Sequence, residues 1–174
     1  MSVEAGVPGI HPERVTDWLR DHLDRLIPPL DFSLIVGGHS NLTYRVTDSA
    51  GGVYVLRRPP LGAVLATAHD MGREYKIISA VGKTEVPVPS ALALCEDVEV
   101  NGAPFYVMRF VEGYVLVDAI ITARHFSESE RARIGESVVD VLSALHRVDP
   151  DAIGLGDLGR KENYLARQLK RWRG

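Results

Sequence analysis

Val36-Gly37-Gly38-His39-Ser40-Asn41-Leu42-Thr43-Tyr44 lies between two runs rich in β-forming residues and reads as a glycine-rich turn between antiparallel strands. Two adjacent glycines let the backbone take positive φ and come close to a ligand, while Ser40 and Asn41 add short polar side chains beside exposed N–H groups. Such a turn suits the covering of a phosphate. The same composition also makes an ordinary hairpin, so the stretch keeps two readings until its neighbours are placed.

Upstream, residues 32–36 read as a strand. Before them, residues 11–27 set Val15, Trp18, Leu19, Leu23, Leu26 and Ile27 on one face and Asp17, Arg20, Asp21 and Asp24 mostly on the other, an amphipathic helix ended by Pro28-Pro29. Downstream, strands are expected over 42–47 and 53–58, joined at Asp48-Ser49-Ala50-Gly51-Gly52 and closed by Pro59-Pro60, which removes two backbone donors. Met71, Tyr75, Ile78 and Val81 return to helical spacing over 68–81, with Gly82 as the stop. Two more strands follow at 91–94 and 104–110, joined by an acidic turn ending in Asn101-Gly102. Ser127-Glu128-Ser129-Glu130 has the form of a capping box, and Ile134, Val138, Val141, Leu142 and Leu145 continue it along one helical face. A basic helix is expected from 161 to 172. The order predicts an α+β lobe with an antiparallel sheet of about five strands, leading into a helical segment.

With 174 residues, 45% hydrophobic and 25% charged, the chain is long enough to bury a core in one domain or two small lobes. A net charge of -3 and a pI near 6.1 give no global reason to expect nucleic acid or an acidic membrane as partner. Residues 160–174 hold six cations against Glu162, hence +5, which leaves -8 for the remainder. That basic end reads as a solvated helix face. Cys95 is the only cysteine, so an intrachain disulfide and a cysteine-based zinc site are excluded. A reducing compartment fits, and the absence of a signal-like N-terminus or of 18 successive apolar residues makes the cytoplasm the expected location.

Read together, the stretches Gly37 to Tyr44, Tyr54-Val55-Leu56-Arg57-Arg58-Pro59-Pro60, Arg73-Glu74-Tyr75, Val86-Pro87-Val88-Pro89, Tyr106-Val107-Met108-Arg109-Phe110-Val111-Glu112-Gly113 and Leu145-His146 resemble the aminoglycoside phosphotransferase and choline kinase family, which has a protein-kinase-like fold. The resemblance is strongest to the subgroup attached to some acyl-CoA dehydrogenases, and its strength lies in six short motifs in the right order. It implies an N-terminal helix over 1–31, a nucleotide-binding small lobe over 32–112, and the start of a helical large lobe over 113–174.

The resemblance also implies roles. Gly37, Gly38, His39, Ser40 and Asn41 would lie over the phosphates of ATP or GTP, although His39 also reads as a turn histidine facing solvent. Val55 and Arg57 share one strand face. Val55 would roof the adenine, and Arg57 stands where the family more often has the lysine that contacts the α and β phosphates. Glu74 on the next helix would pair with Arg57; the plainer alternative is a surface ion pair of little energetic weight. Met108 would back the adenine pocket or simply fill core, and Arg109, Phe110 and Val111 would form the hinge.

Leu145-His146-Arg147-Val148-Asp149 invites comparison with the catalytic loop of protein kinases, but its spacing is wrong by one and no asparagine follows at the required distance. His146 reads as structural. His11, His22, His69 and His125 have no metal-site spacing. The family's His-Gly-Asp loop with its asparagine, and its later metal-binding aspartate, do not occur in these 174 residues. No catalytic residue and no metal ligand is therefore assigned. Mg²⁺ would be held by residues beyond 174, and transfer is not expected from the phosphate clamp alone.

The expected function is the nucleotide-binding part of a small-molecule kinase acting on a hydroxyl acceptor; the alternative is a noncatalytic, pseudokinase-like binding module. A shortened piece of a longer enzyme, a natural fragment and a binding-only domain would all fit, and the interrupted helix at Arg171-Trp172-Arg173-Gly174 favours the first. No nucleic acid or membrane partner is expected. An incompletely covered apolar face on the 134–145 helix would favour self-association.

Overall fold

The hairpin that follows the opening stretch is fixed by its own turn. In the computed structural model, which describes residues 7–36, 40–62, 69–160 and 162–173, Asp48 Oδ1 accepts from the N–H groups of Ala50 and Gly52 at 3.0 and 2.7 Å. Gly51 sits at φ +86°, a backbone conformation that glycine adopts without penalty. The turn joins β2 (Leu42–Thr47) to β3 (Val53–Arg58). Strands β1 (Asp31–Leu34), β4 (Ala91–Cys95) and β5 (Phe105–Arg109) complete a five-stranded sheet of order β1-β2-β3-β5-β4, antiparallel throughout. This is the architecture of a kinase-like small lobe, as the order of elements predicts.

Alternation divides the sheet into two chemically different faces. Tyr44, Val46, Leu56, Phe105 and Val107 point one way and are fully buried under α1 (Pro12–His22), which contributes Val15 and Leu19. Trp18 meets Phe105 edge-on with centroids 5.1 Å apart. The helix is shorter than the predicted 11–27 segment. Leu23 takes extended backbone and Arg25 a left-handed φ of 66°. Leu23 and Leu26 still reach the core, but through an irregular turn that redirects the chain toward β1.

The opposite face carries Thr43, Arg45, Val55, Arg57, Tyr106 and Met108 and is partly covered by α2 (Met71–Val81). Asp70 caps α2, its side chain accepting from the Arg73 N–H at 2.9 Å. The acidic stretch between β4 and β5 is not an open turn. Asp97 caps Glu99 at 2.9 Å and starts a single helical turn, α3 (Val98–Asn101), which Gly102 ends at φ +70°.

Beyond the sheet lie α4 (Ala119–His125), α5 (Glu128–Arg147) and α6 (Tyr164–Arg173). The capping box is present: the Glu130 N–H donates to Ser127 Oγ at 3.4 Å, and the Ser127 N–H donates to Glu130 Oε2 at 2.8 Å. A second small core joins α2 to the helical segment, with Ala80, Val81 and Val86 against Leu155 and the partly buried Val141 and Ala144 of α5. Outside it, the Lys76 ammonium donates to both carboxylate oxygens of Asp157 at 2.7 and 2.8 Å.

Candidate functional site

The two strand rows on the open sheet face organise the site. Cα pairing places Thr43 opposite Arg57 and Arg57 opposite Tyr106, and one step along it places Arg45 opposite Val55 and Val55 opposite Met108. One row is polar and the other mixed apolar and cationic. The sequence puts Arg57 and Val55 on this face through the two-residue period of β3, and puts Thr43 and Tyr106 beside Arg57 through the register of its two neighbours.

Glu74, in the first turn of α2, leans over the polar row and collects three donors. Arg57 Nε donates to its Oε2 at 2.8 Å, the Tyr106 hydroxyl to the same oxygen at 3.2 Å, and Asn41 Nδ2 to Oε1 at 2.8 Å. Arg57 Nη1 also donates to Thr43 Oγ1 at 3.1 Å. The Arg57 and Glu74 side chains are about 30% and 27% exposed, so the pair is half-sheltered rather than a freely solvated surface contact. The Tyr106 phenol is raised above its ordinary range, first by burial and then by the Glu74 carboxylate beside it.

Asn41 stands where the glycine-rich turn enters β2, and it is buried. Its amide is used at both ends: Nδ2 on Glu74 and Oδ1 on the Nδ1 of His69, 2.6 Å away. The turn therefore returns to the sheet through a side chain tied to α2 and to the residue preceding its cap. Gly37, Gly38 and His39 lie outside the described residues; Ser40 is exposed.

In the second row Val55 is buried, and Met108 is partly so. The Arg45 guanidinium lies 4.8 Å from the centroid of the Phe110 ring. Of the predicted hinge, Arg109 donates its N–H to Ser90 O at 2.9 Å, and its side chain turns to solvent opposite Tyr54. Phe110 is half-buried and Val111 exposed. Among the described residues no three His, Cys, Asp or Glu side chains stand together as metal ligands, and no helix is long and apolar enough to cross a membrane.

Sequence reasoning brought Arg57, Glu74 and Asn41 to one place and paired Arg57 with Glu74, but it missed the bond from Asn41 to Glu74 and left out Thr43, Tyr106 and His69. The period of β5 was a usable signal for Tyr106, which lies two residues before Met108 and so on the same face. His69 had no such signal, because its partner lies 28 residues away.

A model described as a phosphotransferase enzyme family matches residues 31–174. A "Probable acyl-CoA dehydrogenase IBR3" of Arabidopsis thaliana is 38% identical over 83% of this chain and 18% of its own length, and acyl-CoA dehydrogenase family member 10 of Mus musculus is 34% identical over 96% of this chain and 16% of its own. The chain thus spans less than a fifth of these relatives. A crystal structure from Ralstonia eutropha, described as a "putative aminoglycoside phosphotransferase", superposes with a TM-score of 0.75 at 37% identity, covering 92% of this chain and 45% of that one. The match covers the sheet, the helix bearing Glu74 and the helical segment after them, and the chain belongs to the phosphotransferase enzyme family.

Proposed function

We propose that the open sheet face binds ATP or GTP with Mg²⁺, and that the protein of which this lobe is part transfers the terminal phosphate to a hydroxyl of a small molecule. The observation that carries the reading is the joining of Arg57, Glu74 and Asn41 in one hydrogen-bonded cluster at the end of the glycine-rich turn. Glu74 holds Arg57 through Nε, and among the described residues nothing bonds its Nη2. A guanidinium held by one edge offers the other to a phosphate oxygen. Ser40 and the preceding glycines would cover the phosphates, Val55 would roof the base, Met108 would back it, and backbone groups of Arg109, Phe110 and Val111 other than the Arg109 N–H would hold its edge.

Lacking three clustered ligands, the described residues do not by themselves fit a resident Mg²⁺, and no step of the reaction is routed through a metal-bound group. A second reading, nucleotide or partner binding without transfer, is favoured by one observation: an arginine stands where the resemblance leads to a lysine.

Addition of Mg-ATP or Mg-GTP is expected to raise the melting temperature. Saturation about 100-fold above Kd adds about 2.7 kcal/mol to the native state. Arg57→Ala is expected to weaken binding roughly ten- to a hundredfold, the range for a hydrogen bond to a charged group. No shift with either nucleotide at millimolar concentration would refute the binding reading. A shift without phosphate transfer to any hydroxyl acceptor by the longer protein would favour the second reading.

A further inference from the structure

Glu74 as a carboxylate can only accept hydrogen bonds, so the end of the Asn41 amide that faces it must be the NH₂ group. The carbonyl oxygen of Asn41 then points the other way and can also only accept. His69 Nδ1 stands 2.6 Å from that oxygen and must carry a proton. A histidine protonated only on Nε2 would set a lone pair against the carbonyl. The chain of donors has one direction: His69 to Asn41, Asn41 to Glu74.

We infer that His69 is a positioning residue for the phosphate-facing cluster, orienting the Asn41 amide so that its NH₂ group occupies Glu74 Oε1 and leaves Oε2 to Arg57 and Tyr106. This deepens the nucleotide reading and rests on it for its functional consequence, but its structural content is independent. Without a donor at Oδ1, the buried carbonyl of Asn41 is left without a partner, and turning the amide over is no remedy, because it would set that oxygen against the Glu74 carboxylate. Asn41 is then favoured to leave its buried place at the root of the turn, which strips Glu74 Oε1 of its donor. That loosens the Arg57 and Glu74 pair that would meet the phosphates. The root of the turn has its own reporter, since the Ile35 N–H donates to Thr43 O at 2.8 Å across the base of that stretch.

The choice of substitution separates positioning from bulk. An asparagine places its amide nitrogen near the position of imidazole Nδ1, whereas alanine supplies no donor. His69→Asn is therefore the conservative variant and His69→Ala the deletion. His69→Ala is expected to speed amide exchange at Ile35 and to weaken Mg-ATP binding, each on the order of tenfold, as suits one lost hydrogen bond to a buried amide. His69→Asn is expected to restore both to within about threefold; His69 is half-buried, so any fall in the urea midpoint of His69→Ala should be small and regained in His69→Asn.

Nitrogen NMR of the imidazole, recorded where the spectrum itself shows the ring to be neutral, is expected to find the His69 proton on Nδ1. An Nε2–H tautomer, or equal exchange and affinity in His69→Ala and the parent, would overturn the inference while leaving nucleotide binding intact. If the parent itself binds no nucleotide, the nucleotide reading fails, and the tautomer and the Ile35 exchange still decide the role of His69.

Discussion

Glu74 is the acceptor on which the site converges, and Tyr106 is the donor whose chemistry gives the clearest pH signature. The phenol is 1% exposed and donates to Glu74 Oε2 at 3.2 Å. Burial first, and then the carboxylate, raise its pKa in the folded state. A raised folded pKa means that the unfolded chain loses this proton first, so the stabilisation is complete below the ordinary tyrosine value of about 10 and is lost as pH climbs toward the folded value. Tyr44, raised chiefly by burial, adds in the same direction. Urea midpoints should therefore fall above about pH 10, and Tyr106→Phe should flatten that fall while leaving neutral stability lower by about 1 kcal/mol, one hydrogen bond. An unchanged alkaline slope in Tyr106→Phe would refute the assignment. The contrast among site residues is physical. Arg57 and Glu74 are long charged side chains in motifs that announce themselves locally, whereas Tyr106 reads as one more apolar position in a strand, and His69 acts only through an amide that the fold brings to it.

Strands and helices were legible where local chemistry is strong, and misread where tertiary contacts dictate the backbone. Ser127 and Glu130 mark the start of α5 from four residues alone. The turn at Asp48 and the closing prolines of β3 were equally local. By contrast, the end of α1 depends on where β1 must begin, and α3 depends on Asn101, a fully buried residue whose Oδ1 accepts from the His11 N–H at 2.9 Å. Arg58 completes this side of the sheet. Adjacent to Arg57, it points to the opposite face, is buried, and donates to the carbonyl oxygens of Gly9, Pro59 and, at 3.0 Å, Asn101. Burial pulls its pKa below the usual arginine value. Two neighbouring arginines thus do different work, one beside a carboxylate on the open sheet face and one stapling the N-terminal segment and α3 to β3. Arg58→Ala should lower the unfolding free energy by about 1 to 3 kcal/mol for each carbonyl left without a partner, and Arg58→Lys should recover only part, since an ammonium lacks the planar fork. A loss smaller than that of an ordinary surface substitution would show that the staple is dispensable.

The polar face of the lobe is well furnished with partners, and the helical segment is not. Val138, Leu142 and Leu145 on α5, and Leu165, Leu169 and Trp172 on α6, are all more than 40% exposed, with Trp172 at 85%. Leu145 also borders an apolar groove of about 430 Å³ that runs between α2 and the 150–160 segment, lined by Ile77, Val81, Val148, Ile153 and Leu155. Singly exposed apolar residues are ordinary, but a stripe on a helix beside an apolar groove is a surface that gains by being covered. The net charge of -3 is too small for self-repulsion to oppose association strongly. The 174-residue chain should accordingly associate in a concentration-dependent way, which sedimentation velocity over a hundredfold range of loading would register. Val138→Glu together with Leu142→Glu should return it to a monomer, because each charge would otherwise be desolvated at the contact. Those positions lie on α5, away from the Arg57 and Glu74 cluster, so the pair of substitutions should leave any nucleotide-induced shift in melting temperature intact. A monomer at every concentration would mean that the stripe is tolerated in water. An association that survives both glutamates would move the contact to α6, where the apolar positions alternate with Arg167, Lys170 and Arg171, and where added salt would then strengthen it by screening like charges.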